Sequence, residues 1–331
     1  MALRRKLGLL ASLASVAAGA RGTVSARGTI QSTRQCSTRQ RQYIALQSPA
    51  PDDGEILQQE FEQLAADAIA SGQTLELGGM RVQLHEPFKL TSTESLCVRG
   101  GRIVGDGHAL FTVGGSRSGL LELNDCTLSH KPSAARSEKC SLGAAILVRG
   151  KGRLALRNCH LSSEAGFALW LVQKASASAV GCVFPGSGRS TICAFENAQL
   201  ELEACTLSDA KPHAVCARGD TRITLRRCTL EGSELRAIYC YHSSALDMSD
   251  CSVSRTRSPD SAAIQMDALR PQDQARVSLR NTRFNDNAGG DLSIAGNVVR
   301  DVTGCAPLVE RTPELHGALA ARERDAGYGL Y

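Results

Sequence analysis

The chain has 331 residues, 42% of them hydrophobic and 21% charged, which is enough to bury a sizeable core. Its net charge of +5 is lopsided: residues 1–51 hold eight bases and no acid, leaving 30 bases against 33 acids over residues 52–331. A body with a net charge of −3 argues against phosphate-backbone binding as its main work. No run reaches the roughly 20 apolar residues that a membrane span needs.

Residues 1–51, with Arg4, Arg5, Lys6, Arg21, Arg27, Arg34, Arg39 and Arg41, are Arg-rich, Ser-rich and free of acids. That composition predicts a transit peptide for a mitochondrion or plastid. Two alternatives stand beside it. One is a secretory signal, with the apolar run Leu7–Ala18 ahead of the small residues Ala18-Gly19-Ala20; the other is a basic tail that is never cleaved.

Folded structure is expected from Asp52. Asp52 or Asp53 can cap a helix over Glu55–Ala70, whose apolar face comprises Ile56, Leu57, Phe61, Leu64, Ala65, Ala68 and Ile69. Ser71-Gly72 ends it. The helix at 52–71 is assigned to the N-terminal end of a repeat domain, because an open solenoid end would expose core and strand edges.

The rest of the chain is organised by a beat. Cys159, Cys182, Cys205, Cys228 and Cys251 are each 23 residues apart, with apolar residues five and three before and two after: Leu200/Leu202/Leu207 around Cys205, Ile223/Leu225/Leu230 around Cys228. The register extends upstream through Cys126, Gly101 and Met80 and downstream through Thr282 to a degenerate Val302/Cys305/Pro307. The residue just before each beat is Gly79, Gly100, Asp125, Asn158, Gly181, Ala204, Arg227, Asp250, Asn281 or Gly304. Most of these tolerate a left-handed backbone, so each repeat turns sharply there between two short strands. A third strand precedes them, with inward pairs such as Ile146/Val148, Leu169/Leu171, Val215/Ala217 and Ile238/Cys240.

Three short strands per coil and one left-handed corner specify an all-β fold: a parallel β-helix over 72–307, of about nine to ten coils with ~23-residue repeats. The recurring A-I-x-V … L-x-L-x-x-C-x-L with its Asn/Asp/Gly corner resembles the right-handed parallel β-helix (pectate-lyase-like) superfamily, over roughly Gly72 to Cys305. The resemblance implies a fold shared by polysaccharide enzymes and by non-catalytic scaffolds. It also implies that any groove lies along the outside of the first strand's sheet.

Insertions at Ser129–Leu142 and Arg255–Ala262, and a lengthened coil around Pro271, are expected to decorate corners. After the repeats, residues 308–331 are expected to form a short helix from Thr312-Pro313-Glu314 to about Arg324, then a tail. Cys126 to Cys251 form one interior column of thiols, spaced architecturally rather than as a metal clamp, which favours a reducing compartment.

Outward positions alternate with the inward ones. On the first sheet they are Leu147, Arg149, Trp170, Val172, Cys193, Phe195, Cys216, Arg218, Tyr239, Tyr241, Gln265 and Asp267. The sole tryptophan falls on this wall, and aromatic and Arg residues are the usual anchors of protein interfaces. The partner-binding surface is therefore assigned to Leu147, Arg149, Trp170, Val172, Cys193, Phe195, Arg218, Tyr239 and Tyr241. Glycoside chemistry needs paired carboxylates, which the central coils lack, although aromatics could hold a sugar. A further reading is that the tail or the C-terminal helix covers the strip.

Gly105-Asp106-Gly107-His108 reads as turn chemistry. Cys193 and Cys216 with His213 and His242 fall short of a demonstrable four-ligand metal site. Arg222, Arg226 and Arg227 read as a solvated corner. The expectation is thus a non-catalytic β-helix scaffold or recognition subunit in an organellar assembly, without cofactor or metal. The alternative is a carbohydrate-active β-helix enzyme or glycan-binding module.

Overall fold

A computed structural model describes residues 43–45, 55–90, 93–131, 143–306 and 308–312. Over these residues the chain winds as a parallel β-helix of about ten coils. Nine strands, from Phe88–Leu90 to Leu292–Gly296, stack in strict coil order as one sheet, here called sheet B. The other 19 strands form a second sheet, sheet A, that bends around the left-handed corner. Its strands Ser95–Gly105 and Leu120–His130 run through that corner unbroken.

All pairings are parallel and in register. Leu154, Ala177, Leu200, Ile223, Leu246 and Val277 therefore pile into one interior column, and Leu156, Ala179, Leu202, Leu225, Met248 and Leu279 into the next. Each of these residues is at most 5% exposed. Burying a leucine in this way stabilises the fold by roughly 1.5–3 kcal/mol.

The corner behaves as its residue types require. All ten beat-preceding residues have φ between +49° and +88°. Ala204 and Arg227 take the same conformation at φ +50° and +52°, so the stack imposes it even where the side chain disfavours it. Asn side chains tie neighbouring corners together: Asn158 Nδ2 donates to Asp125 Oδ1 at 3.1 Å, and Asn281 Nδ2 to Asp250 Oδ1 at 3.2 Å.

Just inside the corner, Cys126, Cys159, Cys182, Cys205, Cys228 and Cys251 form the thiol column, each at most 3% exposed. Their S–H groups share backbone carbonyls. Cys159 Sγ donates to Leu123 O and Arg157 O at 3.3 and 3.2 Å, and Cys228 Sγ to Leu202 O and Arg226 O at 3.5 and 3.4 Å. The eleven described cysteines are all free thiols.

The N-terminal end differs from the sequence expectation at the start of its helix. The helix α1 spans Gln58–Ser71, not Glu55–Ala70, and no Asp caps it; Leu57 holds the N-cap position without a side-chain bond. Glu55–Ile56 instead pairs with Arg81 and Val82, because Ile56 gains a place in the core. Leu57, expected on the apolar face, is 63% exposed. The C-terminal end of α1 follows expectation, with Gly72 in the left-handed region at φ +67°. Phe61 closes the N-terminal end of the core, edge-on to Phe88 and Phe111 at 5.5 and 6.3 Å.

Tyr43–Ala45, placed in the leader by composition, pairs with Thr74–Glu76. Residues 1–42 and 46–54 lie outside the described residues, as do 132–142 of the first insertion and the expected C-terminal helix beyond Thr312. At the far end, the Leu154–Val277 column finishes on Arg300, which is paired with Glu310. A charge at an inward position of an edge strand blocks further stacking.

Candidate functional site: the outer wall of sheet B

At or near the start of six of the nine strands of sheet B stand two consecutive inward residues: Ala145-Ile146, Ala168-Leu169, Thr191-Ile192, Ala214-Val215, Ala237-Ile238 and Ala263-Ile264, all fully buried. This local break in alternation places an additional row on the outside, one residue earlier: Ala144, Phe167, His213 and Arg236. Simple alternation overlooks it, although the repeated Ala-aliphatic pair marks it in the sequence.

The outer wall is consequently three residues deep and divides into two halves. In the first half Trp170 pairs in register with Leu147 and Cys193. Its ring lies 5.6 Å from Phe167, and with Phe195 it packs against the outer cluster of Cys193, Cys216, Tyr239 and Tyr241. Arg149 is exposed, and Leu147, Trp170, Val172 and Phe195 are half-buried. The Trp170 indole Nε1 is buried without a hydrogen-bond partner. An orphaned donor of this kind costs about 1–3 kcal/mol unless something accepts from it.

The second half is closed and polar. Tyr239 is 2% exposed, and its hydroxyl donates to Asp267 Oδ2 at 3.2 Å. Gln265 Nε2 donates to the same oxygen at 2.9 Å, and Arg236 Nε donates to Gln265 Oε1 at 2.7 Å. The Arg236 guanidinium, fully buried, sits 4.5 Å over the Tyr239 ring. His213 and Tyr241 flank that ring at 5.4 and 5.1 Å, and the Arg218 guanidinium lies 5.7 Å from the Tyr241 ring. His242 stacks on Tyr241 at 5.1 Å and meets Asp273 Oδ2 at 3.4 Å.

Burial sets the protonation states. Desolvation, reinforced by the charge on Arg236, holds His213 well below the usual imidazole pKa, so it is neutral near pH 7. Desolvation likewise lowers His242, against the opposing pull of Asp273, and raises the Tyr241 phenol and the Cys193 thiol.

Of the predicted surface residues, Leu147, Arg149, Trp170, Val172, Phe195 and Arg218 are at least partly open. Cys193, Tyr239 and Tyr241 are not: they are 2%, 2% and 6% exposed, so these three assigned positions present little open surface. Aromatic stacking and the Asp267 network close that half. His213 and Arg236, absent from the predicted surface, are at its centre.

Chemically, the closed half offers Asp267, already accepting two hydrogen bonds, and Asp273, engaged by His242 and by the Arg270 backbone N–H. Asp267 lies in register with Tyr241 and Ala295, so no second carboxylate stands directly opposite it. Paired general acid–base work requires two. Among the described residues no group of three or more potential ligands is disposed to hold a metal.

Comparison with known proteins bears on the fold. Residues 167–305 match the family model "Right handed beta helix region". The fold is similar to that of the Agl-KA catalytic domain, with a TM-score of 0.58 and 12% identity, covering 74% of this chain and 51% of that one. The chain therefore spans about half the length of that domain. It also aligns with the A-module of mannuronan C-5 epimerase AlgE4 of Azotobacter vinelandii, at a TM-score of 0.40 and 11% identity over 78% of this chain and 93% of that one. No curated protein matches the sequence. At these identities the likeness is one of fold, a parallel β-helix, and fold alone does not assign activity.

Proposed function

We propose that this β-helix is a recognition subunit that docks a protein partner through the open half of the sheet B wall, with Trp170 as its anchor. The carrying observation is the half-buried Trp170, set among Phe167, Phe195 and Leu147, with an indole N–H that lacks an acceptor. A partner covering this apolar rim would bury the open remainder of the Trp170 ring together with Leu147 and Phe195. Arg149, exposed beside this rim, adds a charge for orientation. Buried aromatics surrounded by less critical contacts are where interface energy concentrates. The basic leader favours an organellar site of action, and the column of unpaired thiols fits a reducing compartment.

A second reading, a carbohydrate-active enzyme or glycan-binding module, draws support from the Arg236–Gln265–Asp267–Tyr239 network and from the fold shared with the Agl-KA catalytic domain. The network's burial favours a structural role over an open catalytic one.

Paired experiments separate the readings. Trp170→Ala and Phe195→Ala should abolish co-purification of a stoichiometric protein partner without lowering thermal stability by more than a few degrees. Retained partner binding in both variants, with glycan-array binding lost in Tyr239→Phe, would support the second reading instead.

A further inference from the structure

Two thiols stand side by side outside the tube. Cys193 and Cys216 are opposed in register on neighbouring strands of sheet B, between Trp170 at one end of the row and Tyr239 at the other. Their chain neighbours Ile192, Ala194, Val215 and Ala217 all point inward and are fully buried, so both sulfurs face the outer wall. The two thiols are near enough to influence each other's ionisation, and Ser190 acts on Cys193 as well.

Parallel neighbours are separated by about 4.8 Å at Cα, inside the ~4.4–6.8 Å range of disulfides. Their Cβ atoms keep nearly that spacing, slightly beyond the ~4.5 Å upper end for relaxed disulfides. A bond between them is therefore geometrically accessible but strained, and strained disulfides are the easily reduced ones.

We propose that Cys193 and Cys216 form a reversible redox site, oxidised to a disulfide by a low-molecular-weight disulfide of the glutathione class. Cys216, 7% exposed against 2% for Cys193, is the point of entry. Its thiolate attacks one sulfur of the oxidant, the oxidant's S–S bond breaks, and one small thiol leaves. Cys193 then attacks the Cys216 sulfur of this mixed disulfide, its thiol proton passing to the small thiolate that leaves, so the second small thiol is released. The protein loses two protons and two electrons, and the oxidant takes them up as two thiols.

The other described cysteines are less suited. The interior column thiols donate to backbone carbonyls and face the lumen. Cys240 points inward and is fully buried. Cys97 is more open, but its register neighbours are Thr74 and Glu122. Cys305 falls in register with Thr282, since Val302 pairs with Leu279.

The bond would tighten the row that joins Trp170 to Tyr239, making the recognition wall sensitive to redox state. This consequence rests on the recognition reading; the bond itself does not.

The test is to incubate the full chain with glutathione disulfide, alkylate the remaining thiols and map peptides by mass spectrometry. The expected product is a Cys193–Cys216 link reversed by dithiothreitol, with the interior thiols alkylated only after denaturation. Cys193→Ser should instead trap glutathione on Cys216, while Cys216→Ser should give neither adduct nor link. Glutathione on Cys97 with Cys193 and Cys216 both reduced, or links distributed equally along the interior column, would overturn the proposal. A link that forms but leaves partner recovery unchanged upholds the redox site and counts against recognition at this row.

Discussion

The inside of the tube and the outer wall of sheet B are built from the same strands but obey different rules. Inside, every coil repeats its neighbour, so Leu200 sits between Ala177 and Ile223, and Cys205 follows Cys182. On the wall each coil differs from the next: Trp170, Cys193, Cys216, Tyr239 and Gln265 occupy one row. Stacking needs sameness inside, because each coil's core is completed only by its neighbours. The wall has no such constraint, so its variety is where specific recognition can be encoded.

Substitutions should expose that contrast. The largest effect is expected inside: Leu202→Ala removes a side chain 1% exposed and should cost about 2–5 kcal/mol, seen as a lower urea midpoint. On the closed half of the wall, Arg236→Ala leaves the Gln265 amide oxygen without its donor and uncovers the Tyr239 ring. The expected cost is about 1–3 kcal/mol by the same measurement. A loss as large as that for Leu202→Ala would show that the wall network is as structural as the core.

The corner supplies a change of opposite sign. Ala204 is held at φ +50°, a conformation that costs an L-residue with a Cβ about 1–2 kcal/mol and glycine almost nothing. Ala204→Gly should therefore raise the urea midpoint, corresponding to about 1 kcal/mol or less of unfolding free energy once the greater freedom of glycine in the unfolded chain is counted.

A smaller effect concerns pH. His213 is held neutral by burial, so its folded pKa lies below its unfolded value of about 6.5. Above that value neither state binds the proton and stability is unaffected. As pH falls through 6.5 the unfolded chain takes up the proton first, and stability declines until the folded pKa is reached. His213→Phe should flatten the slope of unfolding free energy between about pH 6.5 and 5, by less than about 1.4 kcal/mol per pH unit. His130 is shifted the same way and retains part of the slope in that variant.

The two regions also differ in how far a sequence reveals them. The interior columns, the corner and the coil length were all legible, because one physical requirement recurs at a fixed period in Leu200, Ile223, Cys205 and Cys228. Ala204 and Arg227 show that the period carries more information than residue type: both adopt the glycine-like corner by position alone. The wall was legible in part. Alternation found Trp170, Phe195 and Tyr239 but not His213 or Arg236, because the double inward step at Ala214-Val215 and Ala237-Ile238 shifts the phase by one residue. It also could not show that Tyr239 and Tyr241 are sealed, since their burial depends on Asp267 and Arg218 from other coils. At the N-terminal end, pairing of Ile56 with Val82 overrode the capping signal of Asp52 and Asp53.

Trp170 is the only tryptophan, so its fluorescence reports the open half of the wall without labels. Acrylamide quenching of the full chain, alone and in complex with its isolated partner, tests the recognition account most directly. The account predicts clear quenching in the free chain, and a severalfold lower quenching constant with a blue-shifted emission in the complex. A complex that forms with both unchanged would contradict it.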